Sequence, residues 1–195
     1  MSDYVAISRR DAEMIRKIMD GALTLNEAAP IGKPAVTAAP QTTGFFWGER
    51  SKSELVGVRK ELVECSTLAL MKYSKIDYMC FDGLRTPEEQ ARHVKNGTSK
   101  TMNSKHLTGN AVDLVPIIGG LPKWDWEGCY MIALAMDLAA TELGYANHII
   151  WGGAWDKTLA QYGNNPEAYA AEVKAYRQRN PGPDFIDGPH FEWKN

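Results

Sequence analysis

Apolar positions first fall into register near the start of the chain. Met14, Ile15, Ile18, Met19 and Ala22 form one stripe at helical spacing, which predicts a helix over residues 8–24 begun by Ser8 and Asp11. Residues 28–44 are rich in Ala, Pro, Thr and Gly and read as a linker. A second helical pattern covers residues 52–73, with Leu55, Val58, Leu62, Leu68 and Met71 inward. The run IDYMCF at 76–81 reads as a strand. Thr86 and Pro87 start a capped helix that Gly97 ends. A second strand is expected over 111–116, AVDLVP, and an apolar helix over 127–143, closed by Gly144. His148 to Trp151 reads as a short strand, 166–178 as a helix broken by Pro181-Gly182-Pro183, and His190 to Trp193 as the last strand. Helices mixed with a few short strands, without regular strand–helix alternation, predict an α+β domain. The expected division is 1–47, helix and linker, and 48–195, the main domain. The first helix is either a wall- or partner-binding element or a small helix packed on that domain.

Composition narrows the classes. A chain of 195 residues holds one domain with a real core plus a short appendage. The net charge of -2 gives no electrostatic case for nucleic acid or an anionic membrane as partner. Cys65, Cys80 and Cys129 are widely spaced in apolar stretches and form no C-x-x-C pair, so buried free thiols are expected rather than a thiolate metal site. The N-terminus is polar, without the apolar core of a signal peptide, and no apolar run approaches the ~18 residues that span a membrane. The expected location is therefore a cytoplasm, without stable membrane association.

Candidate chemistry gathers around two of the four histidines. In Ser104-Lys105-His106-Leu107-Thr108-Gly109-Asn110-Ala111-Val112-Asp113, a loop histidine precedes by seven residues an aspartate flanked by Val112 and Leu114. A carboxylate inside an apolar strand is costly unless it is paired or binds a metal. Gly109 lets the chain turn so that His106 folds back beside Asp113. In Asp187-Gly188-Pro189-His190-Phe191-Glu192, a carboxylate and an imidazole lie three apart across a turn, and Glu192 shares a strand face with His190. Glu192 is either an acceptor for the second nitrogen of His190 or a plain surface carboxylate. Two imidazoles and one carboxylate suit Zn²⁺ and leave a coordination position open, as catalysis requires. On spacing alone, a turn histidine, a paired core aspartate and a satisfied core histidine explain the same residues equally well. His93, on a helix, and His148, at a strand start, read as non-ligands.

These segments resemble the LAS metallopeptidases, named for lysostaphin, D-Ala-D-Ala peptidases and sonic hedgehog. Their pattern, S-x-H-x-x-G-x-A-x-D followed by acid-x-x-H, is complete here and in order. Gly83 to Gln90 and Trp151 to Trp155 support it, and the resemblance covers roughly residues 48–195. It extends in particular to phage endolysins of the D-Ala-D-Ala carboxypeptidase-like group, many of which are L-alanyl-D-glutamate peptidases. The resemblance implies a small antiparallel sheet flanked by helices, of hedgehog and DD-peptidase type, extended by the N-terminal helix. It implies Zn²⁺ held by His106, Asp113 and His190, with Asp187 as general base and acid and Arg85 stabilising the oxyanion. Ser104 is either a substrate contact or a simple turn bond, and Trp151 either lines the cleft or belongs to the core.

The function so implied is a monomeric endolysin cutting the L-Ala-D-Glu bond of bacterial peptidoglycan, waiting in the host cytoplasm for a holin-type partner to release it. The alternatives are a D-Ala-D-Ala carboxypeptidase or dipeptidase, and a non-catalytic wall-binding module. Intact Asp187 and Arg85 speak against the last.

Overall fold

The computed structural model describes residues 42–162, 166–181 and 185–194. The helix expected over 8–24, and the linker before residue 42, lie outside the described residues. In chain order the elements are α1 (Glu49–Glu54), α2 (Lys60–Leu68) with a π-helical turn over Ala69–Tyr73, β1 (Tyr78–Asp82) and α3 (Pro87–Lys95). There follow β2 (Ala111–Ile118), β3 (Leu121–Pro122), α4 (Trp126–Leu143), β4 (Ile149–Trp151), α5 (Pro166–Arg179) and β5 (His190–Trp193). Single 3-10 turns occupy Lys105–Thr108 and Leu159–Gln161.

The expected α+β architecture with a small antiparallel sheet is what the chain forms. The strand order is β1-β2-β5-β4, and every pairing is antiparallel. Helix α4 packs on β2 and against α2 and α5. Leu62, Leu70, Ile132 and Met136 from the helical side and Val112, Leu114, Ile149 and Phe191 from the sheet are all fully buried. Helix α4 is apolar on most of its surface because helices cover it on two sides and strands on a third. Asp125 caps its start by accepting from the Gly128 N–H at 2.8 Å. Thr86 and Glu89 form a full capping box at the start of α3, as the Thr-Pro signal predicts. Residues 43 and 47 are tied to the α2 region, through Thr43 N to Met71 O at 2.8 Å and Trp47 Nε1 to Thr67 Oγ1 at 2.9 Å.

Two local expectations change. The pattern over 52–73 is not one helix. It breaks over Leu55–Arg59, where Gly57 takes φ +79°. The cause is tertiary. The broken segment lies against the two loops that carry Arg85 and His106. A Cβ on Gly83 would stand 1.9 Å from Glu54 O, and one on Gly109 2.3 Å from Gly57 O. Gly109 also needs φ +65°, so the residue combines a close approach with a left-handed backbone. The Arg59 N–H closes the contact by donating to Gly109 O at 2.8 Å. The second change is that β2 runs on to Ile118 and turns through Gly119-Gly120 into β3.

All three cysteines are buried and free. Among the described residues, no helix is long and apolar enough to cross a membrane.

Inside the α4–α5 contact lies one buried acid. Asp137, 2% exposed, accepts from the Tyr169 hydroxyl at 2.7 Å and from Thr141 Oγ1 at 3.4 Å. Burial pushes its pKa up to about 6, and the two hydroxyl donors offset part of that rise. A folded-state pKa above the unfolded one means that this group favours folding most at low pH, and that the contribution is lost as pH rises through about 6. Tyr169→Phe removes a donor that serves the charged form. It is expected to destabilise by about 2 kcal/mol near about pH 8 and by less near about pH 5, read from urea unfolding midpoints. Equal losses at both pH values would show that Asp137 is not ionised in the folded protein.

Candidate active site

Strand β2 sits between β1 and β5, and its register decides what meets at the site. Asp113 lies opposite His190 of β5 on one side and Asp82 of β1 on the other, where an irregularity between Cys80 and Asp82 shifts the pairing. The 3-10 turn Lys105–Thr108, capped by Ser104, brings His106 back over the same point. Three elements therefore deliver three side chains to one place.

His106 Nε2 and His190 Nδ1 stand 3.2 Å apart, and they lie 3.2 Å and 3.0 Å from Asp113 Oδ1. A tetrahedral zinc ion with bonds of ~2.0–2.1 Å spaces its ligands by roughly 3.3 Å, so this triangle fits one after a shift of a few tenths of an ångström. The outer nitrogens are already committed. His106 Nδ1 lies 2.6 Å from Gly83 O, a carbonyl, so that nitrogen donates and Nε2 keeps its lone pair. His190 Nε2 lies 3.3 Å from Glu192 Oε2 in the same way, so Nδ1 is the nitrogen that would ligate once its proton is displaced. Among the described residues, this is the group of His, Cys, Asp and Glu whose ligand atoms converge as a metal requires.

Burial alone would lower the His190 pKa, but hydrogen bonds to Asp113 and Glu192 raise it to about 10, so a cation bound here would take the place of that ring's proton. Burial alone would raise the Asp113 pKa, but His106 and His190 outweigh it by charge and hydrogen bonding and hold the carboxyl well below the usual carboxylate range. Its second oxygen, Oδ2, takes a hydrogen bond from Arg85 Nη2 at 2.7 Å. Arg85 Nε reaches Asp82 Oδ2 at 2.8 Å, and Nη1 reaches Gln90 Oε1 at 3.2 Å. The guanidinium thus bridges two facing carboxylates that would otherwise repel each other across the strand pair. Three of its five N–H groups are used and two remain.

Asp187 lines the same cleft, with its backbone pinned by Asp187 N to Gly152 O at 2.8 Å. Burial, and then the charge of Asp113, push its pKa up to about 6. A carboxylate held near neutrality beside a metal site is equipped to take and return a proton. Ser104 Oγ accepts from the His106 N–H at 3.3 Å, so the turn bond is present, and the hydroxyl hydrogen is still available to a substrate.

Trp151 does not line the cleft. It is fully buried, its indole N–H donates to Gly188 O at 2.6 Å, and its ring sits among Trp126, Tyr130, Tyr162 and Tyr169. Its place is under the Asp187–His190 turn, as a core residue. Within that segment it is Trp155 that reaches the cleft, with its ring 5.2 Å from that of His190. His93 Nε2 lies 3.4 Å from Asp82 Oδ2, and His148 stacks on Trp193 at 5.0 Å, so neither joins the metal triangle. Asp82, Phe81, Trp124 and Trp155 are among the cleft residues that sequence reasoning missed. Asp82 alone carried a signal, an acid three residues before Arg85 at the end of an apolar strand.

The cleft has a volume of about 610 Å³. Its lining includes polar and basic residues, Thr98, Ser99, Lys100, Asn103, Ser104 and Lys105, and the aromatic residues Phe81, Trp124, Trp155 and Phe185.

Comparison with known proteins agrees with this geometry. The model of the phage L-alanyl-D-glutamate peptidase family matches residues 43–193. The L-alanyl-D-glutamate peptidase of Escherichia phage T5 is 34% identical over 116 residues, 57% of this chain and 82% of that protein. The L-alanyl-D-glutamate peptidase of Listeria phage A118 is 35% identical over 82 residues, 41% of this chain and 27% of that protein. The crystal structure of Serratia marcescens L-Ala D-Glu endopeptidase ChiX is similar at a TM-score of 0.55 and 32% identity, covering 77% of this chain and 90% of the other. The match over nearly the whole described domain, together with the His-Asp-His triangle, places this chain in the phage L-alanyl-D-glutamate peptidase family.

Proposed function

We propose that this chain is an endolysin peptidase that hydrolyses the L-Ala–D-Glu bond in the peptide stems of bacterial peptidoglycan. The observation that carries the reading is the triangle of His106, Asp113 and His190 with Asp187 in the same cleft, in a chain of this family. Zn²⁺ suits the donor set. When bound, it supplies Lewis-acid polarisation of the scissile carbonyl and acidification of water.

The protein residues divide the remaining work. Asp113, ionised and clamped by Arg85, fixes the direction of its Oδ1 toward the two imidazoles. Gly83 and Glu192 fix the rings from behind. Asp187 takes a proton from the attacking water and delivers it to the leaving amine. Arg85 offers its two uncommitted N–H groups to the oxygen on which negative charge develops. The Ser104 hydroxyl donates to the bound stem. The aromatic residues of the lining exclude water from the reacting centre, which strengthens each of these electrostatic effects.

A D-Ala-D-Ala carboxypeptidase would place the same groups around a different bond, so product analysis separates the two. Purified sacculi digested by the protein should yield new amino-terminal D-Glu by mass spectrometry. Released D-Ala without new D-Glu termini would overturn the assignment. Asp187→Ala should lower kcat by about 10²- to 10⁴-fold, the usual contribution of general acid–base catalysis, while bound zinc measured by mass spectrometry stays at the wild-type level. Retained activity would remove Asp187 from the base role.

A further inference from the structure

The preceding reading places D-Glu on the leaving side of the scissile bond, and the inference here rests on it. We infer that Lys105 binds the free α-carboxylate of that D-Glu, making the enzyme selective for stems in which this group is not amidated.

The chemistry of the stem sets the requirement. D-Glu is joined to L-Ala through its amino group and to the next residue through its γ-carboxyl. Its α-carboxylate therefore sits on the carbon that bears the scissile nitrogen. Whatever recognises it must stand beside the reacting centre, not at the far end of the cleft.

Besides the two imidazoles of the triangle, His106 and His190, four cationic or potentially cationic side chains line the cleft: Arg85, His93, Lys100 and Lys105. Arg85 is held by Asp82, Gln90 and Asp113. His93 is held by Asp82 Oδ2 at 3.4 Å and Thr98 Oγ1 at 3.0 Å. Lys100 is exposed and lies six residues before His106 in the chain. Lys105 is half-buried, immediately precedes His106, and forms no ion pair among the described residues. The acids of the cleft do not claim it. Asp82 and Asp113 are taken by Arg85, Glu192 faces His190, and Asp187 is the base.

Lys105 thus brings to the lining of the cleft an ammonium that no acid there claims, left for an anion that arrives with the substrate. The neighbouring Ser104 hydroxyl keeps a hydrogen to donate, and it gives the same carboxylate a second, directional contact. Amidation of the α-carboxyl removes the charge and turns an NH₂ donor toward the ammonium, so one substitution both deletes an attraction and adds a mismatch.

The test compares two synthetic N-acetylated peptides, L-Ala-γ-D-Glu-L-Lys and its α-amidated D-isoglutamine counterpart. The wild-type enzyme should favour the free acid by about 10- to 100-fold in kcat/KM, the range of a charge-assisted hydrogen bond, mainly through KM. Lys105→Met should bring the two rates together, and Lys105→Arg should retain the preference. Equal wild-type rates on the two peptides, or a preference that persists in Lys105→Met, would overturn the role of Lys105. Cleavage of neither peptide between L-Ala and D-Glu, by enzyme that still degrades sacculi, would instead overturn the bond assignment on which the inference rests.

Discussion

An ionised carboxylate near the middle of a β-sheet is costly unless donors surround it. Asp113 is that group, with its side chain only 15% exposed. One oxygen faces two imidazoles and the other a guanidinium. Remove any of these and the charge inside the apolar flanks of the strand is less well compensated. The site and the sheet are therefore stabilised by the same contacts. A cation at the centre of the triangle would complete the arrangement, because two ring nitrogens and a carboxylate oxygen converge on one point.

The rest of the fold serves that point. Strand β2 is central, so both its neighbours place a residue opposite Asp113, Asp82 from β1 and His190 from β5. Helix α4 covers the back of β2 and frees its other side for the cleft. The broken segment between α1 and α2 wedges against Gly83 and Gly109, where no side chain would fit. That contact fixes the loop before Arg85 and the loop after His106 together. Trp151 anchors the Asp187–His190 turn from the core through Gly188. Each loop that carries chemistry is thus tied to something rigid, which keeps the groups aimed before a substrate arrives.

Much of the site was legible because its motif is local. Gly109 between His106 and Asp113, and the short Asp187–His190 turn, allow these groups to meet, the scarcity of histidines leaves few competitors, and the family pattern decided between a site and ordinary core residues. The strands and α4 were legible from periodicity and from the glycine that closes the helix. What was not legible depends on contacts distant in sequence. Nothing near Gly57 reveals that it must bend against Gly109. Trp151 and Trp155 read alike in one short segment. Only the sheet shows that the first enters a ring cluster in the core while the second turns toward His190. Asp82 reads as a strand-end acid until the register of β1 sets it against Asp113. Arg85 could be assigned to the site from sequence, but its clamp on Asp113 follows from that same register.

The central claim is that His106, Asp113 and His190 hold a catalytic zinc ion. X-ray absorption at the zinc edge, on protein reconstituted with stoichiometric zinc, tests it most directly. The account predicts a single ion bound by two imidazole nitrogens and by oxygen at about 2.0–2.1 Å, with no sulfur ligand. It also predicts that His106→Ala and His190→Ala each change that spectrum, and that peptidase activity disappears with chelation and returns with zinc. Full activity in rigorously metal-free protein, or a spectrum unaltered by either histidine substitution, would contradict it.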